Sequence, residues 1–352
     1  MSLDVCAIGL GAIGALYAFA LERSSRVRVT AVCRSNYDVV QEHGIDFVSD
    51  RLGTHAAWKP YRVVRTVEEA ADRDYVFVVC AFKCLPDVIT TPALLTPILA
   101  RLATASQPTA FVLLQNGVGI EDDLLAALAE TKPGADNVVI SGCAWVDATA
   151  VDGGRKVTQF GNERLVLGYH HPAATLKTAA SFSDARAHEV LDGFCGLLRA
   201  GGANVEAAED VDIARWRKVL WNASFSTLCT LARVPVCAVL ANDSSCAAVA
   251  SIMREVLSVA HAALPPTQGL KEVLSDSVVN NIIEHENHES TFRPSMLVDL
   301  DAGRPMEVEA IVGGVLRRAR AHGVQTPQLD LIYAALNVMQ RELIKRRGSA
   351  GL

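Results

Sequence analysis

The stretch DVCAIGLGAIGALYAFALER, residues 4–23, decides the fold of this chain. An apolar run typical of a buried strand opens it, and a helical pattern closes it. Between them lies a GxGxxG hexapeptide, Gly9-Leu10-Gly11-Ala12-Ile13-Gly14. In such a turn Gly9 permits the tight bend, Gly11 the close approach of a pyrophosphate, and Gly14 close packing of helix on strand. The stretch therefore predicts a dinucleotide-binding turn, and a glycine-rich turn without a ligand is the alternative.

Strands and helices alternate through the rest of the first half of the chain. Apolar runs at 26–34, 75–82 and 109–116 predict further strands, and 92–104 has a helical pattern. This alternation predicts parallel pairing in a doubly wound sheet. The segment 137–168 contains the turn VDGGRK between two apolar runs, so it predicts an antiparallel hairpin added to the sheet.

The second part of the chain has a different pattern. From Asp210 onward, helical periodicity covers 210–232, 244–263, 267–286, 295–322 and 326–345. We therefore predict an α/β protein with an N-terminal Rossmann domain over 1–208 and an all-helical domain, binding substrate and carrying catalysis, over 209–352. The segments 49–62 and 170–186 are interpreted as loops or insertions without an assignable role.

Composition and charge limit the partners of this protein. Half of the 352 residues are hydrophobic, a fifth are charged, and the net charge is −6. This is typical of a soluble globular protein, and no basic field attracts nucleic acid or an anionic membrane. An anionic substrate must be met by local basic groups.

The nine scattered cysteines form no CxxC pair, which indicates reduced thiols and a cytoplasmic location. The apolar run 6–21 lacks a basic flank and is too short to span a membrane.

The end of the second strand points to the cofactor. Proteins that bind NAD carry an acidic residue there for the ribose hydroxyls. This chain reads VCRSNYD over 32–38 and places Arg34 at that point. Because a guanidinium pairs with a 2′-phosphate, Arg34 favours NADPH, although a solvated charge is the alternative. Asp38 follows slightly later and leaves NADH open.

Two further polar residues follow predicted strands. Lys83 lies in CAFKC and Asn116 lies in LQNGVG. In open α/β sheets the ligand lies beyond the carboxyl ends of the strands. Lysine suits phosphates, and asparagine suits a ribose or carboxamide because it both donates and accepts. We therefore expect both to bind the cofactor, with ordinary loop residues as the alternative.

An apolar helix pattern, RWRKVLWNASFSTL at 215–228, carries an unusual polar stripe. Lys218, Asn222 and Ser226 are spaced by four residues and so share one helix face. A solvated helix face is the alternative, but the stripe is narrow and asparagine and serine are poor formers of exposed helix. The stripe favours a helix that faces a wet cleft. There a lysine can protonate and stabilise the alkoxide that forms when hydride reaches a ketone.

Four blocks of sequence carry a resemblance to a known family: GLGAIG (9–14), FKC (82–84) with LQNGVG (114–119), WRKVLWN (216–222) and RPSMLVDLDAGRPMEVE (293–309). Over most of its length the chain resembles the ketopantoate reductases, or 2-dehydropantoate 2-reductases. These are NADPH-dependent enzymes of pantothenate biosynthesis with a Rossmann domain and a helical C-terminal domain. The resemblance implies that Lys83 and Asn116 position the cofactor and that Arg34 meets its adenosine phosphate.

The resemblance also assigns roles in the helical part. Lys218 is implied as the general acid and Asn222 as a substrate contact. Ser295 is implied to hold the substrate carboxylate, and Asn116 to lie near substrate as well as cofactor. Glu307 is implied to orient the catalytic and substrate polar groups. A carboxylate near a lysine also favours its charged form, whereas a surface charge on a helix is the alternative for Glu307.

Three positions depart from the pattern of the pantoate enzymes. Ser226, Val236 and Phe292 each stand where those enzymes have an asparagine. Ser226 keeps a hydroxyl and is still expected to contact substrate. A pocket built to bind a polar group rejects analogues that lack it. The converse suggests a substrate with a less polar tail.

We therefore predict NADPH-dependent reduction of a 2-oxo acid to a 2-hydroxy acid, foremost of 2-dehydropantoate to pantoate. The alternatives are a reductase of the same scaffold for a less polar 2-oxo acid, and a non-catalytic NADP-binding regulatory protein. We expect no metal, because His285 and His288 of EHENHE are three residues apart rather than four. The expected partner is a small 2-oxo acid, and a homodimer stays open.

Overall fold

The computed structural model describes residues 2–105, 107–131, 137–172 and 182–349. The chain forms two compact units. The first comprises Met1–Lys83, Thr90–Gln115 and Glu121–Val211, and the second comprises Cys84–Ile89, Asn116–Ile120 and Asp212–Leu352. The main division thus lies three residues after the predicted boundary. Two short segments that follow strands belong to the helical unit, because their side chains and backbone bind helices there.

The first unit is built on one sheet. Its strands are β1 Leu3–Ile8, β2 Val27–Val32, β3 Ile45–Ser49, β4 Gly53–Trp58, β5 Arg62–Val64, β6 Phe77–Cys80, β7 Ala110–Leu113, β8 Val139–Val151, β9 Lys156–Tyr169 and β10 Val205–Ala207. Within the described ranges they run in the order β4-β3-β9-β8-β7-β6-β1-β2-β5, and β10 pairs with β9. Its helices are α1 Ala12–Arg23, α2 Tyr37–His43, α3 Val67–Ala70, α4 Thr91–Leu102, α5 Asp122–Thr131 and α6 Asp184–Ala200.

The order β5-β2-β1-β6-β7-β8 is that of a dinucleotide-binding sheet, and all its neighbours pair in parallel. The apolar runs that predicted these strands are buried on both faces, as helices on either side of a parallel sheet require. The chain order reverses between β1 and β6, so a ligand is expected beyond the carboxyl ends of these two strands. The predicted α/β fold with a helical C-terminal region is confirmed.

The predicted hairpin is present, since β8 and β9 pair antiparallel across the turn at 152–154. The interpretation of 49–62 as a loop is wrong. Gly53–Trp58 within it form β4, which pairs antiparallel with β3 at the edge of the sheet. The exposed edge strand carries little apolar alternation, so it gave no strand signal, and Trp58 anchors it against Phe19 and Phe47. Of the segment 170–186, residues 173–181 lie outside the described residues, and α6 begins at Asp184.

The second unit is helical in its described residues. Its helices are α7 Val211–Trp221, α8 Thr227–Ala232, α9 Val236–Leu240, α10 Asp243–Ala263, α11 Gln268–Val273, α12 Val278–Glu284, α13 Ser295–Asp301, α14 Gly314–His322 and α15 Pro327–Ser349, with π-helical turns at Asn222–Ser226 and Glu309–Gly313. They enclose one apolar core. By length and composition α10 could cross a membrane, but core helices of soluble proteins pass the same test, and one of its faces is buried in this core.

Two predicted helices are broken. The pattern over 267–286 forms the separate helices α11 and α12, and the pattern over 295–322 stops at the end of α13. Gly303 adopts a left-handed φ of +66° there, and Pro305 cannot continue a helix. The Arg304 guanidinium donates to Asp299 Oδ1 at 3.0 Å and holds the bend. As a result Glu307 lies in the non-helical segment 304–307 directly before the next helix rather than on the surface of a long one.

Candidate functional site

The glycine-rich turn after β1 has the geometry that its sequence predicts. Gly9 has φ +90° and donates its N–H to Val32 O at 3.1 Å. A Cβ on Gly9 would lie 2.7 Å from Phe82 N, and one on Gly14 would lie 1.9 Å from Gly9 O. By contrast, a Cβ on Gly11 would meet no atom within 4 Å. The turn is therefore tight and closely packed on the protein side but open at Gly11, where a pyrophosphate needs access to backbone.

The hexapeptide also starts α1. Leu10 is buried, Gly11 is the N-terminal cap, and Ala12 and Ile13 open the helix. The N–H groups of this first turn and the helix dipole form the kind of anion site that dinucleotide phosphates use. Asn36, which the sequence did not single out, donates from Nδ2 to Leu10 O at 2.8 Å. It thereby fastens the turn after β2 to the glycine-rich turn.

The turn after β2 carries the charged residues on which the predicted cofactor preference depends. Arg34 is exposed in this turn. Asp38, which left NADH open, pairs with Arg65 at 2.5 Å. The Arg65 guanidinium also stacks 4.0 Å from the centre of the Tyr37 ring. The sequence missed Arg65, and the only signal was its place directly after β5. The Asp38 carboxylate is thus paired with a guanidinium in this turn.

The loops after β6 and β7 meet near the glycine-rich turn. Phe82 packs beside Gly9, and Gln115 donates from Nε2 to Phe82 O at 3.0 Å. Lys83 is exposed at the end of this part of the first unit. The glycine-rich turn (residues 9–14), Arg34 and Lys83 thus all lie at the carboxyl edge of one sheet. Their roles in cofactor binding stay predictions.

A chain of hydrogen bonds in the second unit joins three of the predicted residues. Lys218 Nζ donates to Asn116 Oδ1 at 3.0 Å, and Asn116 Nδ2 donates to Glu307 Oε2 at 3.0 Å. The other oxygen, Glu307 Oε1, accepts the backbone N–H of Cys84 at 3.0 Å. Glu307 is only 4 % exposed, whereas Lys218 and Asn116 are half-buried. The structure therefore links the lysine to the carboxylate through an asparagine amide.

The 116–120 loop is fixed to the helical unit by its backbone. Val118 N donates to Ala310 O at 3.3 Å, and the guanidinium of Arg215 donates to Gly117 O at 2.9 Å. Gly117 has φ +107°, and a Cβ there would lie 2.3 Å from Ala310 O. Only glycine permits this approach, which sets Asn116 beside the helix of Lys218. Arg215 is 2 % exposed, and the sequence gave no sign of its role.

A buried glutamine braces the other side of Glu307. Gln340 on α15 accepts the N–H of Met306 at 2.7 Å and donates to Asp87 Oδ2 at 2.9 Å. Met306 directly precedes Glu307, and Asp87 follows Cys84 in the same short segment. Gln340 thus ties together the two segments that hold the carboxylate. Sequence reasoning missed it, because nothing in the helical pattern of α15 marks this residue.

The predicted polar stripe on 215–228 is wrong in its last member. A π-helical turn over Asn222–Ser226 follows α7, so residues after it no longer follow four-residue spacing. Hydroxyls of Ser224 and Thr227 donate to the carbonyls of Leu220 and Ala223 within this stretch. Such bonds compete with the regular helical pattern. Ser226 is consequently 3 % exposed, while Lys218 and Asn222 are half-buried.

Two predicted substrate residues lie near the same turn. α13, which begins with exposed Ser295, packs against the π-helical turn that begins with Asn222. Within the part of the chain that the structure describes, neither the Asn222 amide nor the Ser295 hydroxyl has a hydrogen-bond partner. Their roles as substrate contacts stay predictions. Arg217, beside Lys218, is half-buried, and this burial lowers the pKa of its guanidinium.

His285 and His288 are both exposed after the end of α12, so the EHENHE stretch is a solvated helix end. The absence of a metal motif there stays a prediction, which is based on the three-residue spacing of the two histidines. The histidine of the first unit that is buried, His170, contacts the hydroxyl of Ser141 at 2.7 Å. Ser141 is fully buried, so this pair lacks access for a substrate.

A dinucleotide-binding sheet together with a lysine, amide and carboxylate chain defines an oxidoreductase that acts on CH–OH groups. The family profile described as Ketopantoate reductase PanE/ApbA matches residues 5–172, and its C-terminal profile matches residues 210–340. The chain belongs to the ketopantoate reductase family. It is therefore an enzyme, and the alternative of a non-catalytic regulator is set aside.

Individual relatives span nearly the whole chain. The Saccharomyces cerevisiae protein YDL144C is 28 % identical over 98 % of this chain and 95 % of its own. The crystal structure of 2-dehydropantoate 2-reductase from Methylococcus capsulatus is 28 % identical, with a TM-score of 0.75 over 97 % of this chain and 98 % of that one. A D-mandelate dehydrogenase with NADH and anilino(oxo)acetate shares the fold at 20 % identity, with a TM-score of 0.74 over 97 % and 99 % of the two chains.

Proposed function

We propose that this protein reduces a 2-oxo acid to a 2-hydroxy acid with NADPH, and that Lys218 is the general acid. The hydrogen-bond chain from Lys218 through Asn116 to buried Glu307 carries this proposal. Asn116 Oδ1 occupies one N–H of the ammonium and fixes its direction. An ammonium has three N–H donors, and general acid catalysis requires one of them to reach the substrate carbonyl oxygen.

The residues present fit a nicotinamide dinucleotide, because the turn is open at Gly11 and the first turn of α1 offers its N–H groups. When bound, NADPH supplies the hydride that reaches the carbonyl carbon. Lys218 then donates its proton to the oxygen, which becomes the hydroxyl group, and the neutral amine regains a proton from water. The Glu307 carboxylate orients the Asn116 amide, which therefore presents its oxygen to the Lys218 ammonium.

Preference for NADPH over NADH follows from the charges at the end of β2. Arg34 is exposed there, and Asp38 is paired with Arg65 rather than available to a ribose hydroxyl. Replacement of Arg34 by Ala should raise the KM for NADPH and leave the KM for NADH nearly unchanged. Equal effects on both cofactors would contradict this assignment.

Two kinds of substrate are candidates. The first is 2-dehydropantoate, on which relatives in the family act by name, and it would place the protein in pantothenate biosynthesis. The second is a 2-oxo acid with a less polar side chain. It is favoured by the replacement of asparagine at two positions that contact each other, since Val236 N donates to Phe292 O at 3.1 Å. If 2-dehydropantoate is turned over no better than 2-oxoisovalerate, the pantoate assignment fails.

The replacement of Lys218 by Met tests the mechanism. General acid catalysis predicts a loss of about a hundredfold or more in kcat for NADPH oxidation with a 2-oxo acid. NADPH binding, followed by fluorescence, should be retained. Lys271→Met, an exposed lysine on α11 of the same unit, is the matched control. Activity of Lys218→Met within a few-fold of the wild type would show that another group donates the proton.

We also propose that the protein is cytoplasmic and that it forms a homodimer. All nine cysteines are free thiols, which supports a reducing compartment. Cell fractionation and light scattering of the purified chain test the two proposals separately.

A further inference from the structure

We infer that the substrate side chain is aromatic and that Trp221 and Phe292 determine this specificity. The inference rests on the proposed 2-oxo acid reduction and names the kind of side chain that this site accepts. We call the pair of rings the aromatic corner.

The position of Trp221 relates the aromatic corner to the proton donor. Trp221 lies three residues after Lys218 on α7, so the two side chains are neighbours on the helix surface. Three residues advance about 4.5 Å along a helix axis. A substrate whose carbonyl oxygen accepts from the Lys218 ammonium can extend its side chain along α7 toward the indole of Trp221. A benzyl-sized side chain is long enough to cover this axial distance.

The indole ring is held rigidly. Its Nε1–H donates to Glu286 Oε2 at 2.7 Å. Its other side packs on the fully buried ring of Phe225, with 5.6 Å between ring centres and 31° between planes. Because the indole N–H is already used and the ring remains half-buried, Trp221 offers apolar surface rather than a donor.

The second ring is exposed, yet its backbone is fixed. Phe292 is 39 % exposed, and its ring centre lies 6.0 Å from that of Trp221 with 57° between the planes. Val236 N donates to Phe292 O at 3.1 Å, and Cys237 N donates to Ser290 O at 3.0 Å. Two backbone bonds thus hold the segment 290–292 against the start of α9.

The rings of Trp221 and Phe292 are tilted to each other, and a third aromatic ring can pack against both. Tilted and edge-to-face arrangements with centres 4.5–7 Å apart are the favourable ones for aromatic pairs. Val236 is fully buried and Phe292 has no polar side-chain atom, so a hydroxyl on the substrate tail gains no hydrogen-bond partner from either residue. The aromatic corner therefore favours an aryl group and disfavours the hydroxylated tail of 2-dehydropantoate.

The experiment compares kcat/KM for phenylpyruvate, 2-oxoisovalerate and 2-dehydropantoate, each with NADPH. The wild type is expected to prefer phenylpyruvate about tenfold or more. Phe292→Asn should lower kcat/KM for phenylpyruvate about threefold to tenfold. It should leave 2-oxoisovalerate within about twofold, because the smaller side chain makes little contact with the ring. Phe292→Leu, which keeps apolar volume, separates the loss of the ring from the gain of an amide.

Phe160→Asn is the matched control, since Phe160 is an exposed phenylalanine on β9 of the first unit. It should change none of the three values. A wild-type preference for either aliphatic acid, or a Phe292→Asn variant that changes all three substrates equally, would overturn the inference alone. If no 2-oxo acid supports NADPH oxidation, the proposed function fails and the inference fails with it.

Discussion

The replacement of Glu307 by Gln keeps the shape of the side chain but should disturb the hydrogen-bond chain that joins Glu307, Asn116 and Lys218. The carboxylate accepts two N–H groups, one from Cys84 and one from Asn116. A glutamine has only one accepting oxygen, and the backbone N–H of Cys84 can only donate. The new amide nitrogen must therefore face Asn116 Nδ2. Asn116 is expected to turn over, and its NH2 group then faces the Lys218 ammonium where an acceptor lay before.

The magnitude follows from the bonds that are lost. A hydrogen bond to a charged group contributes about 1.5–3 kcal/mol, and one such bond, from Asn116 to the carboxylate, becomes a neutral one. The bond from Lys218 to Asn116 is lost as well. If the loss of one charge-assisted bond raises the activation free energy by its full value, kcat falls about tenfold to about 150-fold. The KM for NADPH should change little, because the glycine-rich turn, Arg34 and Lys83 are not altered.

The assay is steady-state NADPH oxidation with a 2-oxo acid substrate. Glu309→Gln is the matched control, two residues later, where the carboxylate binds Tyr333 and Arg317 instead. A second variant gives a sharper test. Asn116→Asp in the Glu307→Gln background restores acceptors toward both the glutamine amide and Lys218, and should recover part of the lost kcat. The reasoning is refuted if Glu307→Gln keeps kcat within about threefold, or if Glu309→Gln loses as much.

The remaining predictions concern positioning and stability. Gln340→Met should lower kcat severalfold and shift its pH profile, because Glu307 loses its brace, whereas Gln328→Met on the same helix should do neither. Gly117→Ala should lower the unfolding temperature and kcat together, since a left-handed residue costs about 1–3 kcal/mol before its steric overlap with a carbonyl. Two arginines lower the pKa of Asp72 to about 2, so its favourable contribution exists above the ordinary pKa of 3.8 and disappears as pH falls through 2. Because Asp72 is half exposed, Asp72→Asn should cost less than about 1 kcal/mol at neutral pH and nothing below pH 2 in urea unfolding.

Local physical rules predicted the first unit well. The GxGxxG turn combines a strand, a tight bend and a helix start within one stretch, so its geometry depends on neighbouring residues alone. The parallel strands are buried on both faces and appear as continuous apolar runs. The edge strand β4 was missed because most of its residues are exposed and none is buried, so its position depends on pairing with β3 rather than on its own apolar pattern.

The site in the second unit was only partly predictable. Lys218 stood out because a lysine inside an apolar helix requires an explanation, and Glu307 required the family resemblance. The braces Arg215 and Gln340 could not be found, since each acts through contacts more than thirty residues away in sequence. The π-helical turn was missed for a related reason. Four-residue spacing assumes a regular helix, and hydroxyl side chains that bind carbonyls change that spacing locally.

The division of the chain also limits how this enzyme can be taken apart. The backbone passes between the two units five times, at 83/84, 89/90, 115/116, 120/121 and 211/212. A fragment that starts at residue 209 therefore contains Glu307 but lacks Cys84 and Asn116, which both donate to its carboxylate. The helical part is consequently not a cassette that recombination could join to another nucleotide-binding domain. A protein that acquired the lysine and the carboxylate in this way would still lack the asparagine that connects them.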